Sequence, residues 1–108
     1  MSVSFEEFKR IELRVGKVRN VEEVEGLDKL YKLEVDLGES RARTILAGVK
    51  EFFQPYELLG KSVVVVANLE PKEVRGISSE GMLLAAEENG RPILIVPEEE
   101  VKPGATVR

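Results

Sequence analysis

The chain contains no cysteine, no histidine and no tryptophan. Without cysteine there is no disulfide framework and no thiolate nucleophile, and without histidine the commonest general base and metal ligand is missing. These absences argue against an enzyme, and neither a cofactor nor a metal ion is expected. No apolar run approaches the ~20 residues of a membrane span. The first residues are polar and acidic, where a secretory signal needs basic and then apolar ones. Both features predict a cytoplasmic chain with no membrane partner. A net positive charge is lacking too, because 20 acidic residues face 16 basic ones for a balance of −4. Nucleic-acid binding by the whole surface is thereby disfavoured, and any anionic partner must meet a local patch. The acidic residues are clustered at Glu22, Glu23 and Glu25, at Glu87 and Glu88, and at Glu98, Glu99 and Glu100. A basic face can survive elsewhere.

What is present is enough for one compact domain over residues 1–108, with 43% hydrophobic residues and a modest core. Charged residues reach 33% and Gln54 is the single glutamine, a bias seen in proteins from hot environments. The most informative stretch is 68–82, a long polar connection between the apolar runs 63–67 and 82–86. So long a connection in a short chain is either a working surface or disordered, and Pro71, Gly76 and Gly81 read as placed punctuation. Asn68, Lys72, Arg75, Ser78 and Ser79 supply an amide, two cations and two hydroxyls, the groups that bind phosphate and ribose oxygens. The competing reading is a solvated loop.

In chain order, Ser4-Phe5-Glu6-Glu7 has the form of a capping box, with Val3 and Phe8 placed as a hydrophobic staple, so a short helix starts there. Leu13-Arg14-Val15 alternates as a strand. The apolar parity changes after Gly16, which predicts a bulge or bend at that glycine. Residues 29–37 alternate with Tyr31, Leu33, Val35 and Leu37 on one face and Leu30, Lys32, Glu34 and Asp36 on the other. A turn at 38–40 returns the chain as a third strand over 41–49. Pro55 suits the first position of a short helix that Gly60 stops. The run 63–67 is apolar on both faces and so expects two covers, 82–86 forms the fifth strand, and Asn89-Gly90 is a hairpin signal leading to 92–96. Pro103-Gly104 makes the last turn.

These elements predict an all-β fold, a five-stranded Greek-key barrel of the OB type. A short N-terminal helix, a helical insertion between strands three and four and a C-terminal β extension complete it. In such barrels the ligand lies across strands two and three, flanked by the first-to-second and fourth-to-fifth connections. That face would carry Lys32 and Arg41 or Arg43. From the residues alone the conclusion is an oligonucleotide- or oligosaccharide-binding barrel.

Four motifs go further. Leu13-Arg14-Val15-Gly16-Lys17-Val18, Asp28-Lys29-Leu30-Tyr31-Lys32-Leu33-Glu34-Val35-Asp36-Leu37-Gly38, Asn68-Leu69-Glu70-Pro71 and Gly76-Ile77-Ser78-Ser79-Glu80-Gly81-Met82 occur in this order. Over nearly its whole length the chain resembles the tRNA-binding domain family. That family includes free-standing structure-specific tRNA-binding proteins, the C-terminal domain or beta subunit of methionyl-tRNA synthetase, part of the endothelial monocyte-activating polypeptide, and a bacterial export chaperone. The Gly-Ile-Ser-Ser-Glu-Gly-Met stretch resembles the synthetase-associated branch more than the chaperone.

The resemblance implies tRNA-contacting or site-shaping positions at Asn68, Lys72, Arg75, Ser79 and Met82, with Lys32, Arg41 and Arg43 added from the barrel face. Asn68 either touches a base edge or caps the loop backbone. Lys72 and Arg75 would pair with phosphates, and Ser79 would donate to a phosphate or 2′-OH. Met82 packs beneath a base or belongs to the core. Tyr31 shares parity with Leu33 and Val35 and is read as core. The implied function is a non-catalytic tRNA-binding module, the beta subunit of methionyl-tRNA synthetase, with tRNA and the catalytic subunit as partners. The alternative is a chaperone-like peptide-binding homodimer. A homodimer is expected in either case, with 91–108 as a C-terminal extension used in dimerisation.

Overall fold

The computed structural model describes residues Met1–Arg108. Helix α1 (Phe5–Phe8) opens with the expected capping box, the Ser4 side chain taking the Glu7 N–H and the Glu7 carboxylate taking the Ser4 N–H. The staple residues Val3 and Phe8 remain exposed. The main sheet contains β1 (Leu13–Val24), β2 (Leu27–Asp36), β3 (Arg43–Ala47), β4 (Ser62–Val66), β7 (Met82–Leu83) and β10 (Thr106–Val107). Its path runs β3-β2-β1-β4-β7, all neighbours antiparallel, and β10 pairs with the start of β1. This is an OB-like barrel, mostly strand, as expected. Helix α2 (Pro55–Leu58) between β3 and β4 carries Pro55 in its first turn and drives Leu58 fully into the core.

Alternation along β2 and β3 sorts the two faces. Tyr31, Leu33 and Val35 point inward opposite Ala47, Ile45 and Arg43, while Lys32 and Glu34 point outward opposite Leu46 and Thr44. The core joins these inward residues to Val18, Leu37, Val49, Leu58, Val63, Val65 and Ala67. Tyr31 is core, and its hydroxyl donates to the Phe53 carbonyl at 2.7 Å.

Four local expectations are corrected. First, Gly16 marks no bulge: it pairs in register with Val63, and the register between β1 and β2 slips at Arg19 instead. The glycine is required by space, because a Cβ there would lie 2.5 Å from a Val35 methyl. Second, residues 68–82 are not a plain loop but contain the hairpin β5 (Lys72–Val74) and β6 (Ile77–Ser79), turning at Arg75-Gly76. Third, the fifth strand breaks at Leu84. Its first part, β7, pairs with β4, while its continuation β8 (Ala85–Glu88) leaves the barrel to form a ribbon with β9 (Arg91–Leu94) across the Asn89-Gly90 turn. The run 82–86 is apolar at every position, so parity could not locate that switch. Fourth, the third strand is shorter than 41–49: β3 runs over Arg43–Ala47 and Arg41 lies before it, whereas β4 is buried on both faces, as expected.

The C-terminal segment is strapped to its own barrel. Val15 exchanges backbone hydrogen bonds with Gly104 and Ala105, and the Gly38 and Gly104 backbones approach so closely that a Cβ on either would collide with a carbonyl oxygen.

Candidate nucleic-acid interface

The barrel is closed at β3 by side chains as much as by backbone. The Glu80 N–H donates to the Thr44 carbonyl at 2.8 Å, and the Glu80 carboxylate accepts the Thr44 N–H at 3.0 Å. One turn along the edge, the Ser79 hydroxyl accepts the Leu46 N–H at 3.0 Å and donates to the Gly81 carbonyl. Buried Ser79 thus spends its hydroxyl inside the fold.

Arg43, the first residue of β3, and Arg41 just before it are drawn into the same seam. Arg41, largely exposed, makes a two-pronged pair with the Glu80 carboxylate at 2.7 and 3.2 Å. Arg43 shares the inward parity of Ile45 and sits at the barrel mouth. It grips Glu39 with two bonds of 2.8 Å and donates to the carbonyls of Ala67 and Glu80. Hydrogen bonding to Arg41 and the Thr44 backbone holds the Glu80 carboxyl below its ordinary value, and Arg43 does the same for Glu39. Every carboxyl with a resolved shift moves down, none up. General-acid chemistry would need the reverse.

Asn68 turns away from this seam. Its side-chain oxygen accepts the Glu12 N–H at 2.8 Å and its amide donates to the Arg10 carbonyl at 2.6 Å, pinning the link between α1 and β1 to the end of β4. Of the two readings open for Asn68, the backbone cap is the one its contacts match.

Lys72 and Arg75 differ from all of these, for neither has an acidic partner within 4.0 Å. Arg75 stands at the tip of the β5–β6 hairpin with φ +51°, followed by Gly76 at +78°. Positive φ at both central residues is the type I′ combination, which favours asparagine, aspartate or glycine over arginine. The Arg75 guanidinium rests against Gly26, where a Cβ would meet it at 3.0 Å, so the tip of the β5–β6 hairpin touches the turn between β1 and β2. Lys72, Ser79 and half-exposed Met82 border one hollow with Leu30, Leu46 and Leu69. Arg41 and Arg43 border a neighbouring hollow, and Leu69 belongs to both. Lys32 lies on the outer face opposite Leu46, 4.0 Å from Glu22. Seven of the eight candidate residues therefore surround one end and one face of the barrel, and Asn68 does not.

The sequence reading missed Leu30, Leu46, Val74 and Glu80. Leu30 had left a signal, an apolar residue on the outward parity of β2; Glu80 had left only its place in the 76–82 motif.

An OB-like barrel with a basic hairpin folded over its outer face defines the class of oligonucleotide-binding barrels. The chain belongs to the tRNA-binding domain family, whose description reads "Putative tRNA binding domain" and whose sequence model matches residues 13–106. It is 53% identical over 106 residues to the methionine–tRNA ligase of Pyrococcus furiosus, an alignment that takes in 98% of this chain and 14% of that protein. Against the ligase of Listeria monocytogenes identity is 43%, with 98% of this chain and 16% of the relative aligned. The chain thus spans about one seventh of the length of the curated relatives it matches. Among solved structures, a MetRS-related protein from Pyrococcus horikoshii superposes with a TM-score of 0.92 at 39% identity, over 100% of this chain and 99% of that one. The chaperone CsaA of Bacillus anthracis superposes with a TM-score of 0.89 at 31% identity, over the full length of both.

Proposed function

We propose that the chain is a non-catalytic tRNA-binding module that reads tRNA shape and backbone, and that it serves methionyl-tRNA synthetase as an accessory subunit in the cytoplasm. The observation that carries this is the β5–β6 hairpin. In a chain of net negative charge, whose Arg41 and Arg43 are paired with carboxylates of the same chain, this hairpin holds two unpaired cations beside the outer face of β2 and β3. Family membership and the ligase relatives support the choice of tRNA and synthetase. A second weak contact held close to a first raises the effective concentration of the shared ligand, so the module lengthens tRNA residence without new chemistry. Filter binding with several unrelated tRNAs tests this reading. Comparable affinities that fall with salt are expected, and binding confined to one tRNA contradicts it.

A chaperone-like reading is favoured by the likeness to CsaA. It predicts binding of unfolded polypeptide that tRNA does not displace.

Under either reading the module acts as a homodimer. Support comes from the apolar side chains that stay exposed on α1 and along 93–96, Phe5 at 71% and Val96 at 48% among them. One tRNA per dimer is the expected stoichiometry. Removing the C-terminal segment would strip β1 of its strap, so Phe5→Asp and Ile95→Asp are the better probes in sedimentation. A monomeric parent protein contradicts the dimer.

A further inference from the structure

The hollow beneath the β5–β6 hairpin has more structure than a phosphate cradle requires. Leu30 and Leu46 form its floor on the outer face of β2 and β3, and Leu69, Val74 and Met82 its walls. Lys72 and Glu70 lie at its rim. Leu69 and Met82 each remain 48% exposed, so this apolar surface is presented to solvent and not packed away. Its volume of about 250 Å³ falls below the ~300–1,000 Å³ of pockets that accept drug-sized ligands. It has room for one planar ring system. The rim carries one cation, Lys72, which has no acidic partner within 4.0 Å, and one carboxylate, Glu70.

An apolar hole for a single ring, with the unpaired cation Lys72 at its border, has the complementary chemistry of a nucleotide. We propose that this hollow is a subsite for one unstacked nucleobase of the bound RNA, its ring between Leu46 and Met82 and its phosphate against Lys72. The proposal rests on the RNA-binding reading above and sharpens it. Aliphatic walls contact the face of any base, and the one hydroxyl at the site, that of Ser79, is already committed to Leu46 and Gly81. The subsite is accordingly tolerant of base identity, with Glu70 as the single free acceptor for an exocyclic amine.

A peptide side chain would also fit the hole, but the β3 edge beside it is closed to a peptide backbone. Strand addition needs free N–H and C=O groups at a sheet edge. Along β3 the N–H groups of Thr44 and Leu46 and the carbonyl of Thr44 are already taken by Ser79 and Glu80. An uncharged peptide would leave Lys72 and Arg75 unanswered as well.

The test compares two RNA hairpins that differ only in a single-nucleotide bulge, which carries either a base or an abasic ribose. At fixed salt the base-containing RNA is expected to bind on the order of tenfold tighter. Leu46→Gln and, independently, Val74→Thr shrink that ratio toward one, while Glu98→Ala preserves it. Equal affinity of parent protein for the two RNAs overturns the subsite and leaves the RNA-binding reading standing, whereas failure to bind either RNA overturns both. Cancellation of the base preference by Glu98→Ala, or occupation of the hollow by an apolar peptide in the presence of excess bulged RNA, also overturns it.

Discussion

Two pairs of cations sit within a short stretch of surface and are engaged in opposite ways. Arg41 and Arg43, just before and at the start of β3, are each gripped by a carboxylate, and Arg43 adds two backbone carbonyls. Lys72 and Arg75, on the β5–β6 hairpin, touch no acidic group. A guanidinium whose donors are spent inside the fold closes the barrel, and one whose donors are free can answer a phosphate. Residue type alone does not assign function here. The partner does.

The sharpest way to break the comparison is to remove a closing arginine. Arg43→Ala should cost about 2–3 kcal/mol in denaturant unfolding, since it abandons two hydrogen-bonded carbonyls and Glu39 in a part-buried setting. Arg43→Lys should rescue only part of this, because an ammonium cannot span the fork. The tRNA affinity of the folded variant should stay within roughly twofold of the parent, because these donors are already bonded inside the fold. A large loss of affinity without loss of stability would move Arg43 to the binding side.

Arg75→Asn reverses the signs. Asparagine tolerates positive φ at the first central position of a I′ turn, so stability should hold or rise by about 0.5–1 kcal/mol. Affinity for tRNA should fall by about 1 kcal/mol, for a charge-assisted phosphate contact made only in the complex. Calorimetric unfolding and filter binding on one sample set check both halves. A variant that is less stable and binds normally would make Arg75 a structural residue.

Much of this was legible in the sequence. The inward and outward faces of β2 followed from strict alternation, and both short helices from a capping box and an N-terminal proline. Two hairpin turns mark the boundary of legibility. Arg75-Gly76 and Asn89-Gly90 share the same backbone geometry, yet only the second pair carries side chains that announce it. Arginine in a I′ turn gives no turn signal, so the β5–β6 hairpin read as loop. The roles of Ser79, Glu80 and Arg43 were hidden for another reason. Their partners across the seam lie 24 to 39 residues away in sequence, and a seam between β3 and 79–81 exists only after the barrel has closed. Motif matching could point to these residues without separating those that build the mouth from those that face the ligand.

The smallest expected effect is on acid stability. Glu39 and Glu80 are held below the ordinary glutamate value of 4.5 by their arginines, so each stabilises the fold above that value and loses its contribution as pH falls through the folded-state value. The midpoint of thermal unfolding should be level from neutral pH down to about 5 and decline below roughly 4.3. Partial exposure of both carboxylates keeps the decline shallow. In Arg43→Ala the Glu39 share should vanish and flatten that limb further. An acid limb unchanged by Arg43→Ala would detach Glu39 from the closing seam.

The central claim is that the hairpin cations, and not Arg41 and Arg43, meet the RNA backbone. The most direct test is the salt dependence of tRNA binding, measured for the parent protein and for the double variant Lys72→Ala, Arg75→Ala. Each phosphate contact contributes about −0.7 to −0.9 to the log-log slope, so the parent is expected near roughly −2 to −4 and the double variant about 1.5 units shallower. A double variant that keeps the parent's slope would contradict the account.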